Sequence, residues 1–273
     1  MSDNTDREPR SHYESGSYHQ MVMGQRTVES HAVFFVPHLK EGMSLLDCGC
    51  GPGSITVGLA RAVFPGPVVG IDIDESDVSK AEELARALGD QNAAFRRADV
   101  YSLPFADETF DAVFAHGVLE HLVEPVTALR EMARVLKPGG LIGARSPDYG
   151  GHIYYPHDPL IDESLRLIEQ VVGHNGGNRN IGRQLKASLM EAGIERVEAS
   201  ASYECSGSPD QTRLEGESMS LIFLESSFRD IVVEERWADA GRLDEISSAW
   251  KLWGERPDAF RASAWCEVVG WKS

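Results

Sequence analysis

The stretch LLDCGCGPGS, residues 45–54, decides how the rest of the chain is read. Two leucines lead into Asp47, and glycines then stand at alternate positions 49, 51 and 53. A short apolar run that ends in glycines reads as a buried parallel strand opening into a tight turn. Glycines there let a ligand approach the backbone, and the following helix offers free N–H groups to it. A dinucleotide fingerprint requires G-x-G-x-x-G. Ser54 occupies the place of its last glycine, so the loop suits a nucleoside better than a pyrophosphate.

Outward from this loop, residues 43–145 alternate strand-like and helix-like segments. Strands are expected at 44–48, 67–71, 94–97, 110–115 and 141–145. Helices are expected at 55–64, 76–88 and 126–136, the last stopped by Lys137-Pro138-Gly139-Gly140. Such alternation means βαβ units and a mainly parallel sheet, with ligands bound at its carboxyl edge. Asp72 ends the second strand, at about the 20-residue spacing at which an acid meets ribose hydroxyls. Asp99 closes the third strand, where it could accept from an adenine amino group while the Val100 N–H reaches the ring.

The second half is less regular. Residues 146–181 read as an insertion, 181–192 as a helix, 196–203 as a strand and 209–262 as mostly helical. WCEVVGW, residues 265–271, reads as a closing strand. Met219, Phe223, Trp237, Trp250 and Trp253 are expected mostly in the core. Ahead of the first strand, residues 17–36 suggest an amphipathic helix through Val28, Ala32, Phe35 and Val36.

LLDCGCGPGS, VVGIDID, ADVYSLPFADETFDAVFAHGVLEHL and REMARVLKPGG, taken in order, resemble the successive motifs of class I S-adenosylmethionine-dependent methyltransferases. The likeness is greatest to the small-molecule group that includes the ubiquinone/menaquinone C-methyltransferases. The resemblance implies a Rossmann-like α/β fold. Its seven-stranded, mainly parallel sheet has helices on both faces, an antiparallel last strand, an N-terminal lid helix and helical insertions. It implies one domain over 37–273, with insertions about 146–181 and 209–262, behind a tail and lid segment at 1–36. It also implies S-adenosyl-L-methionine as cofactor. Asp47, Gly49, Gly51, Gly53 and Ser54 would build the turn around its methionine part. Asp72 would hold the ribose, Ile73 would pack on adenine, Asp99 and Val100 would read the adenine edge, and His116 would lie beneath the sulfonium. Tyr18, Met23 and Arg26 are lid candidates on the cofactor side, Arg26 facing the cofactor carboxylate. Deleting residues 1–36 is expected to abolish turnover and leave the sheet folded.

Methyl transfer is an in-line displacement on an activated carbon, so alignment and exclusion of water do most of the work. A general base is needed only where the nucleophile must shed a proton. His116, Glu120 and His121 in AHGVLEHL are the candidates, His116 more as a pocket wall. Tyr13, His19, Tyr149, His152, Tyr154 and Tyr155 are candidates for the acceptor side, since aromatics with polar tips suit a flat, partly apolar substrate.

Composition narrows the acceptor. The formal charge is -17, with no Lys/Arg run, which disfavours nucleic acid and anionic membranes. Four cysteines without metal-finger spacing give no expected metal and a reducing, cytoplasmic setting. The polar N-terminus lacks a signal-peptide core. The expected activity is methyl transfer to a C, O or N atom of a small molecule. A nicotinamide-dependent Rossmann oxidoreductase and a non-catalytic cofactor binder are the alternatives. Whether the chain forms a homodimer is left open.

Overall fold

The computed structural model describes Gly24 and residues 26–273. Tyr13, Tyr18, His19 and Met23, named above, lie outside the described residues. The strands are β1 (Leu45–Cys48), β2 (Val68–Asp72), β3 (Ala93–Arg97), β4 (Phe110–His116), β5 (Leu136–Pro147), β6 (Ile153–Tyr155), β7 (Arg196–Ser206) and β8 (Phe260–Trp271). The first five are parallel, in the order β3-β2-β1-β4-β5. β8 runs antiparallel beside β5, and β7 covers the far edge of β8. The sheet thus has eight strands: the seven expected, and the short β6, which prolongs the line of β5 along β8.

The helices are α1 (Val28–His31), α2 (Ser54–Val63), α3 (Glu75–Leu88), α4 (Pro125–Val135), α5 (Pro159–His174), α6 (Leu185–Glu191), α7 (Pro209–Ile222), α8 (Ser226–Glu234) and α9 (Ala240–Gly254). β1 is buried at every position because helices cover both sheet faces, so its sequence does not alternate. α3 shows how local signals set an element. The Asp74 carboxylate accepts the Ser76 N–H at 2.8 Å, Val78, Ala81 and Ala85 form the buried stripe, and Gly89 takes the left-handed C-cap at φ 66°.

Three expectations need correction. Within the described part of 17–36 the helix is a single turn, α1, followed by a 3-10 turn at Val36–His38. Lys137-Pro138-Gly139-Gly140 lies inside β5, where it produces a register shift against β4, and α4 has already ended at Val135. The segment 181–192 opens as a 3-10 turn before α6. The insertion after β5, expected to be helical, contains the long helix α5, started by Asp158 and Pro159 and buried through Ile161, Ile168 and Val172.

Two apolar bodies position the site. One fills the sheet faces, where Ala32 and Phe35 are fully buried and Phe35 stacks 5.2 Å from Phe114. Deleting 1–36 would therefore remove core, not merely a cover, contrary to the expectation of an intact sheet. The other joins α5, α7, α8 and α9 around Met219, Phe223 and Trp250, whose indole N–H donates to Ser164 Oγ at 2.9 Å. Among the described residues no helix is long and apolar enough to cross a membrane.

Candidate active site

After β1 the chain folds back on β2: the Gly49 and Cys50 N–H groups both donate to the Ile71 carbonyl, at 2.8 and 2.9 Å. Gly49, Gly51 and Gly53 have φ of 74°, 50° and 82°, a region that L side chains avoid. Gly53 is needed twice over, since a Cβ there would come within 2.7 Å of Ala81 and 3.2 Å of Phe95. A Cβ on Gly51 would meet nothing within 4 Å among the described residues, which leave the loop open at this point.

Asp72 ties the loop to β2. One carboxylate oxygen accepts the Gly51 N–H at 2.9 Å and the other the Asp74 N–H at 3.0 Å. Burial still raises its pKa, against these hydrogen bonds. Asp47 lies beneath the loop, 2% exposed, and accepts from Thr56 Oγ1 at 2.6 Å. Burial, reinforced by the nearby Asp72 charge and only partly offset by Thr56, lifts it to about 7. Thr56, which fastens α2 to this acid, was not singled out from sequence. Beyond β2, the Ile73 carbonyl accepts from Arg97 Nε at 3.0 Å. Asp99 accepts the Tyr101 N–H at 2.9 Å, shaping the turn that carries Val100.

His116 ends β4, in register with Arg145 of β5. It is 6% exposed, and among the described residues neither ring nitrogen has a hydrogen-bond partner. His31 meets it edge-on at 5.1 Å, and Trp265 lies 5.0 Å away. Burial, together with the Arg26, Arg145 and His31 charges, holds its pKa well below the usual range. A neutral imidazole here can accept or donate one hydrogen bond but takes up a proton poorly. Arg26 lies over Trp265 at 5.4 Å, with its Nη1 3.2 Å from where a Gly117 Cβ would sit. Glu120 is buried, accepts from Ser146 Oγ at 3.0 Å, and has its pKa raised by burial against the pull of Arg179 and Arg26. His121 Nε2 is 4.0 Å from its carboxylate.

Sequence reading also passed over Arg145, a lone charge in an apolar strand. It is 2% exposed and pairs with Glu204 at 2.7 Å and Glu267 at 3.3 Å, while lying 4.4 Å over the Trp265 ring. His31 reaches the same Glu204 at 3.1 Å. Although burial opposes it, the His31 hydrogen bond and the Arg145 charge bring Glu204 down to about 2. The signal was available, since a charge inside an apolar run implies a buried partner.

A family model described as a methyltransferase domain matches residues 39–193. The chain belongs to the methyltransferase-domain family. An uncharacterized methyltransferase of Schizosaccharomyces pombe is 33% identical over 256 residues, covering 88% of each chain. A protein of Aspergillus luteorubrus whose name is probable methyltransferase ltbC is 28% identical over 290 residues, covering 96% of this chain and 98% of its own. The solved YcgJ protein of Bacillus subtilis shares the fold, with a TM-score of 0.59 at 17% identity, over 88% of this chain and 97% of that one.

S-adenosylmethionine is the cofactor that the sequence motifs lead one to expect. The glycine loop, open at Gly51 and fixed to Asp72, fits a nucleoside-bearing group. On the acceptor side the structure distributes the expected aromatics unevenly. Tyr149 lies against His152 at 4.2 Å and under the Arg179 guanidinium at 3.8 Å. His152 faces Arg261 through Nδ1 at 3.3 Å, and burial followed by the Arg261 charge lowers it to about 3. The Tyr154 hydroxyl is taken up by the Asp162 carboxylate and the Asp158 carbonyl, which fasten β6 to α5. Tyr155 is 59% exposed on the outer end of β6.

Proposed function

We propose that this methyltransferase transfers the methyl group of S-adenosylmethionine to a C, O or N atom of a small-molecule acceptor. The observation that carries the reading is the loop after β1, open at Gly51 and tied at its back to Asp72. Asp72 would hold the ribose, Ile73 the adenine face, and Asp99 with the Val100 N–H the adenine edge. Arg26, above Gly117, would meet the methionine carboxylate as a charge-assisted donor.

When bound, the cofactor supplies an activated methyl carbon. The protein's own part is alignment and exclusion of water, with effects of several kcal/mol available from placement alone, roughly 7–11 in the best intramolecular cases. His116, neutral and buried at the end of β4, suits orienting a hydroxyl or carbonyl better than removing a proton in bulk. Glu120, protected from water and raised by burial, is the better-placed carboxyl if a proton must leave. The net charge of -17 supports a small-molecule acceptor over nucleic acid.

Calorimetry with S-adenosylhomocysteine and with NAD tests the cofactor half of this reading. Tight binding of the first and none of the second is expected, and the reverse would return the oxidoreductase alternative. Transfer of labelled methyl to a metabolite panel tests the acceptor half. Label found only in RNA or protein would exclude a small-molecule acceptor.

A further inference from the structure

The helical part of the chain holds a groove to which the loops after β1, β2 and β4 contribute no residue. It lies between the β6–α5 corner, residues 156–160, and one face of α9, and it encloses about 710 Å³. Asp244, Ser248, Leu252 and Arg256 line it at four-residue steps, the spacing of one helix face. From Gly241 to Arg256 the groove follows α9 for about 22 Å. Leu243, Ile246 and Trp250 of α9 are buried in the apolar body shared with α5, α7 and α8. The volume falls within the range of about 300–1,000 Å³ typical of small-molecule sites.

The lining is apolar at Leu160, Ala249 and Leu252. Leu252, 66% exposed, is the most exposed large apolar side chain among the described residues. Trp253 also lines the groove. It is 2% exposed, and its indole N–H is buried with no hydrogen-bond partner among the described residues. Trp250, one turn earlier, shows the usual outcome, since its N–H reaches Ser164 Oγ at 2.9 Å. An indole N–H can only donate, so the partner that Trp253 lacks is an acceptor.

The charge of the lining is unbalanced. Asp158 accepts the Leu160 N–H through one oxygen and has no basic partner among the described residues. Arg242 is shared between Glu245 and Glu163, each at 2.7 Å. Asp244 meets Arg229 through one oxygen only. Arg256 is held by both oxygens of Asp258, outside the lining. An excess of carboxylate attracts a cation and repels an anion.

We propose that this groove is a second binding site, separate from the methyl-transfer site, for an organic cation with an apolar body and a carbonyl or ether oxygen. Asp158, Asp244 and Glu245 answer its charge, Leu160, Ala249 and Leu252 cover its apolar body, and the Trp253 N–H donates to its oxygen. The site stands whether or not the methyl-transfer reading above holds.

The test uses the full chain at low ionic strength, with and without S-adenosylhomocysteine, and three probes of one shape: N-(4-aminobutyl)octanamide, N-(4-hydroxybutyl)octanamide and 5-octanamidopentanoate. Binding is followed by calorimetry and the tryptophan N–H groups by 15N resonances. The cationic probe is expected to bind at least about fivefold more tightly than the neutral one and to shift the Trp253 resonance while leaving that of Trp265 in place. The anionic probe should bind weakest, and S-adenosylhomocysteine should change none of these affinities. Leu252→Ser, at an exposed position, should weaken the cationic probe at least about threefold, and Trp253→Phe about fivefold. Asp158→Asn combined with Glu245→Gln keeps the α5 cap and should bring the cationic probe down to the affinity of the neutral one. No binding of the cationic probe, equal binding of the neutral or anionic one, indifference to Leu252→Ser and to the paired charge variant, or competition with S-adenosylhomocysteine overturns the proposal.

Discussion

Asp72 Oδ2 accepts the Gly51 N–H at 2.9 Å, so the acid at the end of β2 also sets the shape of the loop after β1. The proposed ribose ligand and the proposed methionine turn are therefore one mechanical unit. Its second oxygen is committed to Asp74, which starts α3.

Replacing this acid should act on binding through both roles. Asp72→Ala is expected to weaken S-adenosylhomocysteine by about 1.5–3 kcal/mol, the range for hydrogen bonds to a charged group. Asp72→Asn, which can still accept from Gly51, should lose less. Calorimetry that finds both variants equal to wild type would remove Asp72 from the cofactor site.

The two loop glycines should separate binding from folding. Gly53→Ala forces both a left-handed residue and an overlap with Ala81, and should cost about 2–4 kcal/mol of stability. Gly51→Ala meets open space, so only the backbone term of about 1–2 kcal/mol applies. Its larger effect should be on S-adenosylhomocysteine affinity, read in the same calorimeter. Denaturant titrations with the two stabilities in the opposite order would contradict the packing described at Gly53.

Asp47 gives the loop a pH signature. An unfolded Asp titrates near 3.9, whereas burial lifts this one to about 7. Between those values the folded state keeps a proton that the unfolded chain has released. Its contribution is thus full below about pH 4, is lost as pH rises to about 7, and is level above that. The loss is at most about 4 kcal/mol. Asp47→Asn can still accept from Thr56 and should flatten this stretch of the melting-temperature profile. Identical slopes for the two proteins between pH 4 and 7 would show that Asp47 titrates normally.

Phe35 anchors the segment before β1. It is fully buried against Phe114 and the backbone of Gly143, so Phe35→Ala should cost about 3–5 kcal/mol. A loss below about 1 kcal/mol in urea would mean that the segment is only a cover, as first expected from sequence.

The parallel half of the fold was legible because its signals are local. An apolar run closed by glycines marks β1, a second short apolar run ending in an acid marks β2, and a capped, striped helix marks α3. The short β6 was not, because its three residues are defined by pairing with β8, not by a pattern of their own. α5 could have been read from Asp158-Pro159 and its buried stripe, but the surrounding glycines and tyrosines obscured it.

At the site, the sequence by itself determined which residues stand at or close to strand ends: Asp47, Asp72, Asp99 and His116 follow from the βα alternation and the spacing of the motifs. Only the tertiary structure decided what each faces. Asp47 turned inward to Thr56, Tyr154 was spent on Asp162, and Arg145 gathered Glu204 and Glu267 from strands about sixty and one hundred twenty residues away. Strand ends are fixed by local periodicity, whereas the partners of a buried charge come from whichever distant segments the sheet order brings alongside.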